Sequence, residues 1–169
     1  MFWKFLQRSV MARLVGTELP DDLFKRLSGK DLAAHREKAV LIATVDSEGQ
    51  PHPAMLSYFE IIARDRGNIR LATYRDSTTT RNMRRNGKLT LSIIDEGVAY
   101  YIKGTVQELK PELATWPGVA KLNLRVDQVL SDQANENIEA GAYITGGVTY
   151  RSPNRPDEQT AAVFREMLE

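Results

Sequence analysis

Between Leu71 and Leu91 the sequence reads LATYRDSTTTRNMRRNGKLTL, an apolar run followed by hydroxyl side chains and then arginines. A strand that runs straight into a helix start leaves the first-turn amides without intrahelical acceptors and presents the positive end of the helix dipole. Ser77, Thr78, Thr79 and Thr80 add hydroxyl donors there, and Arg75 and Arg81 can bring guanidinium groups to the same point. That combination has the size and charge of a phosphate site. The same residues also describe an N-capped helix with a solvated basic face, because Asp, Ser and Thr are ordinary helix starters. Local chemistry leaves both readings open.

Charge favours an anion in this part of the chain. From Arg64 to Lys88 eight basic residues face Asp65 and Asp76, a local balance of +6 inside a chain whose net charge is +1. From Gln107 onward ten acids outnumber six bases, so no nucleic-acid signature extends over the whole chain. Aromatics interleaved with the basic window are essentially Tyr74, which argues against a stacking platform for nucleic acid.

Several common chemistries lack their residues. With no cysteine, thiol catalysis, disulfides, iron–sulfur clusters and cysteine zinc sites drop out, and a reducing cytoplasm is the expected location. No dinucleotide or P-loop glycine pattern, zinc-protease motif or nucleophile elbow is present. The two histidines form no triad and no metal site is expected; His35, among Arg36, Glu37 and Lys38, reads as a solvated helix end, and His52 as a turn-flanking side chain between prolines.

The elements that must position the basic segment read mostly as strands. The run Ala39–Val45 stops at DSEGQP, a turn with Gly49 free to take positive φ. A strand from about His52 to Ala63, a polar loop, and a strand from Ile69 to Thr73 follow, then a short helix over Thr78–Arg85 ended by Asn86-Gly87. Leu89–Ile94 and Tyr100–Val106 predict a second hairpin, Leu122–Leu130 and Ala142–Tyr150 later strands, and Glu158–Leu168 a closing helix. Six or seven antiparallel strands with few helices predict a mainly β protein, a closed or partly closed barrel that removes exposed edges.

At 169 residues the chain has the length of one domain. Its opening stretch, MFWKFLQRSVMARLVG, is interrupted by Lys4, Arg8 and Arg13 and fits neither a membrane span nor a signal peptide. Phe2, Phe5, Leu6, Val10 and Leu14 instead follow a loose helical spacing, as for a helix packed on its own domain or on a partner subunit.

The words IATVDSEGQPHPAMLSYF, LATYRDSTTTRNMRRNGKLTL and AYYIKGTVQEL, in this order over roughly residues 38–109, resemble the pyridoxamine 5′-phosphate oxidase-like family of FMN-binding split β-barrels. GAYITGGVTYR gives a weaker echo further on. The resemblance implies a single split-barrel domain over residues 1–169, with an N-terminal helical segment 1–37, a barrel 38–150 and a C-terminal helix 157–169. It implies a homodimer with FMN at the subunit interface, and it places Met55, Leu56 and Ser57 along the flavin ring through backbone groups. Thr73 and Tyr74 would lie near the ring or ribityl chain, and Ser77, Thr78, Thr79 and Arg81 at the phosphate. The family's oxidases usually carry Arg-Lys where this chain has Thr78-Thr79, and an Arg where Ala54 stands, and beside them this chain is expected to lack the longer C-terminal, substrate-gripping segment.

The function implied is a cytoplasmic flavin-dependent oxidoreductase acting on a small organic molecule, with no membrane or nucleic-acid partner. An F420-dependent reductase of the same fold, or a non-catalytic dimeric flavin-binding protein, are the alternatives.

Overall fold

Apolar residues at every second position build the sheet. The computed structural model describes residues 12–169. Its strands are β1 (Ala12–Gly16), β2 (Ala39–Val45), β3 (Pro51–Ser57), β4 (Ile61–Asp65), β5 (Asn68–Tyr74), β6 (Lys88–Asp95), β7 (Val98–Lys110) and β8 (Val119–Asp132). The helices are α1 (Asp21–Leu27), α2 (Leu32–His35), α3 (Thr78–Asn86) and α4 (Asp157–Leu168). The strands form one antiparallel sheet in the order β3-β2-β6-β7-β8-β5-β4, with β1 added to β8. Because β3 and β4 end the path unpaired with each other, the sheet curls into a barrel that stays split between them.

Inward residues fill the barrel: Val40 and Ile42 of β2, Leu89, Leu91 and Ile93 of β6, Ile102 of β7, and Leu122, Leu124 and Val129 of β8 are all nearly inaccessible. Leu23 and Leu27 add the buried stripe of α1 to the same cluster, joined by Leu19 just ahead of the helix. Strand β5 is buried on both faces because α4 covers its outer side, where Ile62, Ala72, Val119, Val163, Phe164 and Met167 make a second cluster. Each fully buried leucine-sized side chain stabilises the fold by about 1.5–3 kcal/mol relative to exposure.

Helix α3 follows β5 after a short turn. Ser77 caps its start by accepting from Thr80 N at 3.1 Å. Gly87 ends it in the left-handed conformation at φ 65, where its N–H donates to Met83 O, a position that L side chains adopt only with strain.

The structure corrects the sequence reading in several places. The expected strand from His52 to Ala63 is two strands separated by a 3-10 turn, Tyr58–Glu60. The cause is the Ser57-x-x-Glu60 pair, whose carboxylate accepts from Ser57 N at 2.6 Å and Ser57 Oγ at 2.7 Å and so stops the ladder. Residues 142–150 form no strand; the three glycines Gly141, Gly146 and Gly147 leave only an isolated bridge, Lys38 to Thr149. Leu14 belongs to β1 rather than to a helix, so the expected helical segment 1–37 contains a strand and two short helices over its described part. Residues 1–11, including Phe2, Phe5, Leu6 and Val10, lie outside the described residues.

His35 is not a solvated side chain. Its ring stacks on Tyr58 at 4.8 Å, its buried Nδ1 has no hydrogen-bond partner among the described residues, and burial together with Arg26 and Lys38 lowers its pKa. His52 lies in β3, half-buried, and its carbonyl accepts from Thr44 Oγ1 at 3.4 Å.

Candidate functional site

The start of α3 is organised around one hydroxyl. Thr80 is fully buried, and its Oγ1 donates its single proton to Tyr74 O at 2.8 Å. The two contacts that remain, Ser77 Oγ at 3.0 Å and Thr73 Oγ1 at 2.6 Å, must therefore donate to it. Ser77 and Thr73 thus spend their protons in holding the β5–α3 turn together. Thr78 and Thr79, the first two helical residues, lie outside that network, and their amides have no acceptor within the helix.

Arg81 folds back over this first turn. Its guanidinium donates to Asp76 O at 2.6 Å and to Thr78 Oγ1 at 3.0 Å, and it pairs with no carboxylate among the described residues. Since Thr78 Oγ1 accepts there, its own proton is free to go outward. The amides of Thr78 and Thr79, the exposed Thr78 hydroxyl and the Arg81 guanidinium all belong to this first turn, a donor set that suits an anion, while the Thr79 side chain itself is buried. Asp76, the nearby acid, is held by Arg75 at 3.2 Å.

The basic window as a whole is more dispersed than its sequence balance of +6. Arg75 pairs with Glu112 at 2.9 Å, Arg84 with Glu108, and Arg66 with Asp21, while Arg70 is buried beneath α4. Acids that lie far along the chain reach these cations through space.

Met55, Leu56 and Ser57 stand on β3, one lip of the split; Thr73 and Tyr74 end β5, which lies behind β4 on the other lip. The 3-10 turn joins the two lips, so both segments finish at the same end of the barrel. Met55 and Tyr74 point outward and are each 62% exposed. Leu56 points inward and belongs to the core, so its side chain cannot meet a ligand. The Ser57 amide, committed to Glu60, is not a free donor for a ring. Thr73 is buried and serves Thr80.

Three residues not assigned from the sequence complete this end. Glu60, half-buried behind Ser57, has its pKa raised by burial, opposed by the bonds from Ser57 and the charge of Arg155. Trp116 meets Tyr74 edge-on at 6.4 Å between centroids. Arg155 is sandwiched between Phe59 and Trp116, 5.3 and 4.5 Å from their centroids, which pins the chain ahead of α4 against the same corner. Glu60 carried a signal in the capping-box spacing; Trp116 and Arg155 carried none, because their neighbours are set by long-range packing.

Strand alternation places Arg70 and Lys121 on the outer face under α4, where they cap its C-terminal carbonyls. Lys121 Nζ donates to Glu166 O at 2.7 Å and Arg70 Nε to Met167 O at 3.2 Å. The Glu166 carboxylate accepts from Lys110 Nζ, Ala114 N, Thr115 N and Thr115 Oγ1, and these partners outweigh burial and hold its pKa down to about 2. α4 thereby fixes the loop that carries Trp116.

This barrel has counterparts among known proteins. The sequence model of the pyridoxamine 5′-phosphate oxidase family matches residues 31–139, more than half of the chain. The chain belongs to that family. The protein YclD of Bacillus subtilis, itself uncharacterized, is 38% identical over 93 residues, which are 55% of this chain and 60% of that relative's length. Among solved structures, a protein of Lactobacillus delbrueckii provisionally assigned as a pyridoxamine 5′-phosphate oxidase superposes with a TM-score of 0.56 at 16% identity, over 69% of this chain and 98% of its own. HupZ of Group A Streptococcus gives a TM-score of 0.51 at 20% identity, over 63% and 91%. An FMN-binding protein of Syntrophomonas wolfei gives 0.51 at 14%, over 66% and 87%. At these identities the likeness is one of fold: an antiparallel split barrel.

Proposed function

We propose that this chain is a flavin-dependent oxidoreductase that holds FMN by its phosphate at the start of α3. The observation that carries the reading is the surplus of donors there: Thr80 satisfies Ser77 and Thr73, while the amides of Thr78 and Thr79, the Thr78 hydroxyl and Arg81 remain to serve an anion. Family membership supports it, as does the fold shared with the FMN-binding protein of Syntrophomonas wolfei. When bound, the flavin supplies hydride transfer to or from a small organic substrate, so no side-chain acid or base is demanded.

The chain's own residues divide the work. Thr78 and Thr79 bind the phosphate, and Arg81 offsets its charge in place of the family's Arg-Lys pair. Met55 and Tyr74, exposed on either side of the split, offer apolar surface to a ring. A second copy of the chain completes the site: the outer face of β3, β2 and β6 presents Pro51, Pro53, Met55, Leu41 and Ala43, apolar and partly exposed, whereas the opposite outer face is covered by α4. A cytoplasmic location accords with the absence of cysteine.

Parallel titrations of the purified protein with FMN and F420, followed by anaerobic addition of NADPH and then air, test this. The expected result is one FMN bound per protomer that is reduced and reoxidised, in a dimer by sedimentation. Tight binding of F420 alone would transfer the reading to that cofactor, whose phosphate suits the same hydroxyl-rich donors. Binding without redox exchange would make the protein a carrier, and binding of neither would overturn the proposal.

A further inference from the structure

The corner where Phe59, Trp116 and Arg155 meet holds a guanidinium whose hydrogen-bonding edge is unspent. Arg155 is half-buried, 5.3 and 4.5 Å from the two ring centroids, yet among the described residues it donates no hydrogen bond and joins no ion pair. Stacking uses the faces of a guanidinium and leaves its five N–H groups in the plane. The other cation at this ring, Arg36, 5.6 Å from the Phe59 centroid, is paired with Asp157 at 3.4 Å. Glu60 acts on Arg155 through its charge, but its carboxylate accepts from Ser57 N and Ser57 Oγ. Packing alone accounts for the stacked faces and not for the edge, since both carboxylates of this corner are bonded elsewhere.

The surroundings indicate what that edge can take. Phe59, Trp116, Gln159 and Val163 line a small notch beside Arg155. Trp116 leads on, at 6.4 Å, to the exposed ring of Tyr74, which the flavin reading places beside the cofactor. A planar fork matches a carboxylate through two parallel bonds, and the aromatic run matches a flat apolar body. With Arg36 and Asp157 offsetting each other and Glu60 close by, the corner offers at most one positive charge. That suits a monoanion rather than the double charge of a phosphate monoester.

We propose that Arg155 is a specificity-determining residue, whose in-plane N–H groups take the carboxylate of a substrate with its flat apolar body along Trp116 and Tyr74. The carboxylate site stands on the geometry of this corner, while its part in selecting a substrate rests on the flavin reading. Arg155 orients the substrate and moves neither proton nor hydride.

Benzoate and benzamide, alike in shape and different in charge, test this by calorimetry on the full chain. They are titrated into the protein saturated with FMN, and without flavin into Arg81→Ala, where the start of α3 competes less for anions. Benzoate should bind at least about tenfold more tightly than benzamide in both. Adding Arg155→Gln should abolish the preference while leaving benzamide affinity and the urea midpoint unchanged, and benzoate should shift the absorbance bands of bound FMN. Equal binding of the two ligands, a preference that survives Arg155→Gln, or equal weakening of both overturns the proposal. A preference that depends on Arg155 but leaves the bound FMN spectrum unchanged overturns the part in substrate selection. If FMN does not bind while the Arg155-dependent preference persists without it, the flavin reading fails and the carboxylate site stands. If Arg155→Gln does not fold, Arg155→Lys, which keeps the charge and loses the planar fork, should cut the preference at least about threefold, and an unchanged preference overturns the proposal.

Discussion

The start of α3 and the end of α4 are two helix termini treated in opposite ways. At the end of α4 the charges are inside: Lys121 and Arg70, 4% and 5% exposed, cap the last carbonyls, and every oxygen of Glu166 has a donor. At the start of α3 the charges are outside, and the hydroxyls satisfy one another through Thr80 so that amides and Arg81 are left over. A terminus whose partners are all internal is a structural anchor. One that is internally held yet keeps surplus donors is suited to a ligand.

Replacing Glu166 by Ala should give the largest effect, because it leaves the Ala114 and Thr115 donors under α4 without their acceptor, whereas the exposed Lys110 returns to water. The expected loss is about 3 kcal/mol of unfolding free energy, read as a lower urea midpoint. A loss below about 1 kcal/mol would remove α4's end from its place as the anchor.

Acid should act through the same carboxylate and through Asp95, which Lys38, Glu96 N and Arg26 hold down to about 2 against burial. Both folded values lie below the ordinary ones, so their stabilisation is present above about pH 4.5 and is lost as pH falls towards 2. Urea midpoints between pH 6 and 2.5 should fall steeply in the wild type and less steeply in Glu166→Gln.

Next in size is Thr80→Val, which keeps the shape and removes the hub. Ser77, Thr73 and the Tyr74 carbonyl each lose a partner, at a cost of about 2 kcal/mol in thermal or urea unfolding, with weakened FMN binding. Smallest in stability, and the sharpest contrast with α4, is Arg81→Ala: unfolding should change by less than about 0.5 kcal/mol, while FMN affinity drops about 5- to 100-fold by calorimetry. Equal loss of stability and binding in this variant would mean that Arg81 is structural like Arg70.

Much of the α3 terminus was legible in the sequence because its interactions are local. Ser77 three residues before Thr80 predicts the cap, Asn86-Gly87 the stop, and Arg81 one turn into the helix the charge over its start. The α4 anchor was not legible, because Lys121, Arg70 and Glu166 meet only after β5 pairs with β8 and α4 covers both strands. Within the candidate site the same divide holds. Strand alternation puts Met55 and Leu56 on opposite faces, but which of them turns inward, and the capture of Ser57 by Glu60, depend on where the 3-10 turn breaks the expected long strand.

The central claim is that the start of α3 grips a phosphate, and comparing FMN with riboflavin, which lacks one, tests it most directly. The wild type should bind FMN at least about tenfold more tightly than riboflavin, a difference of about 1.4 kcal/mol, and Arg81→Ala should narrow that gap. Equal affinity for the two flavins in the wild type, or a gap untouched by Arg81→Ala, would contradict the account.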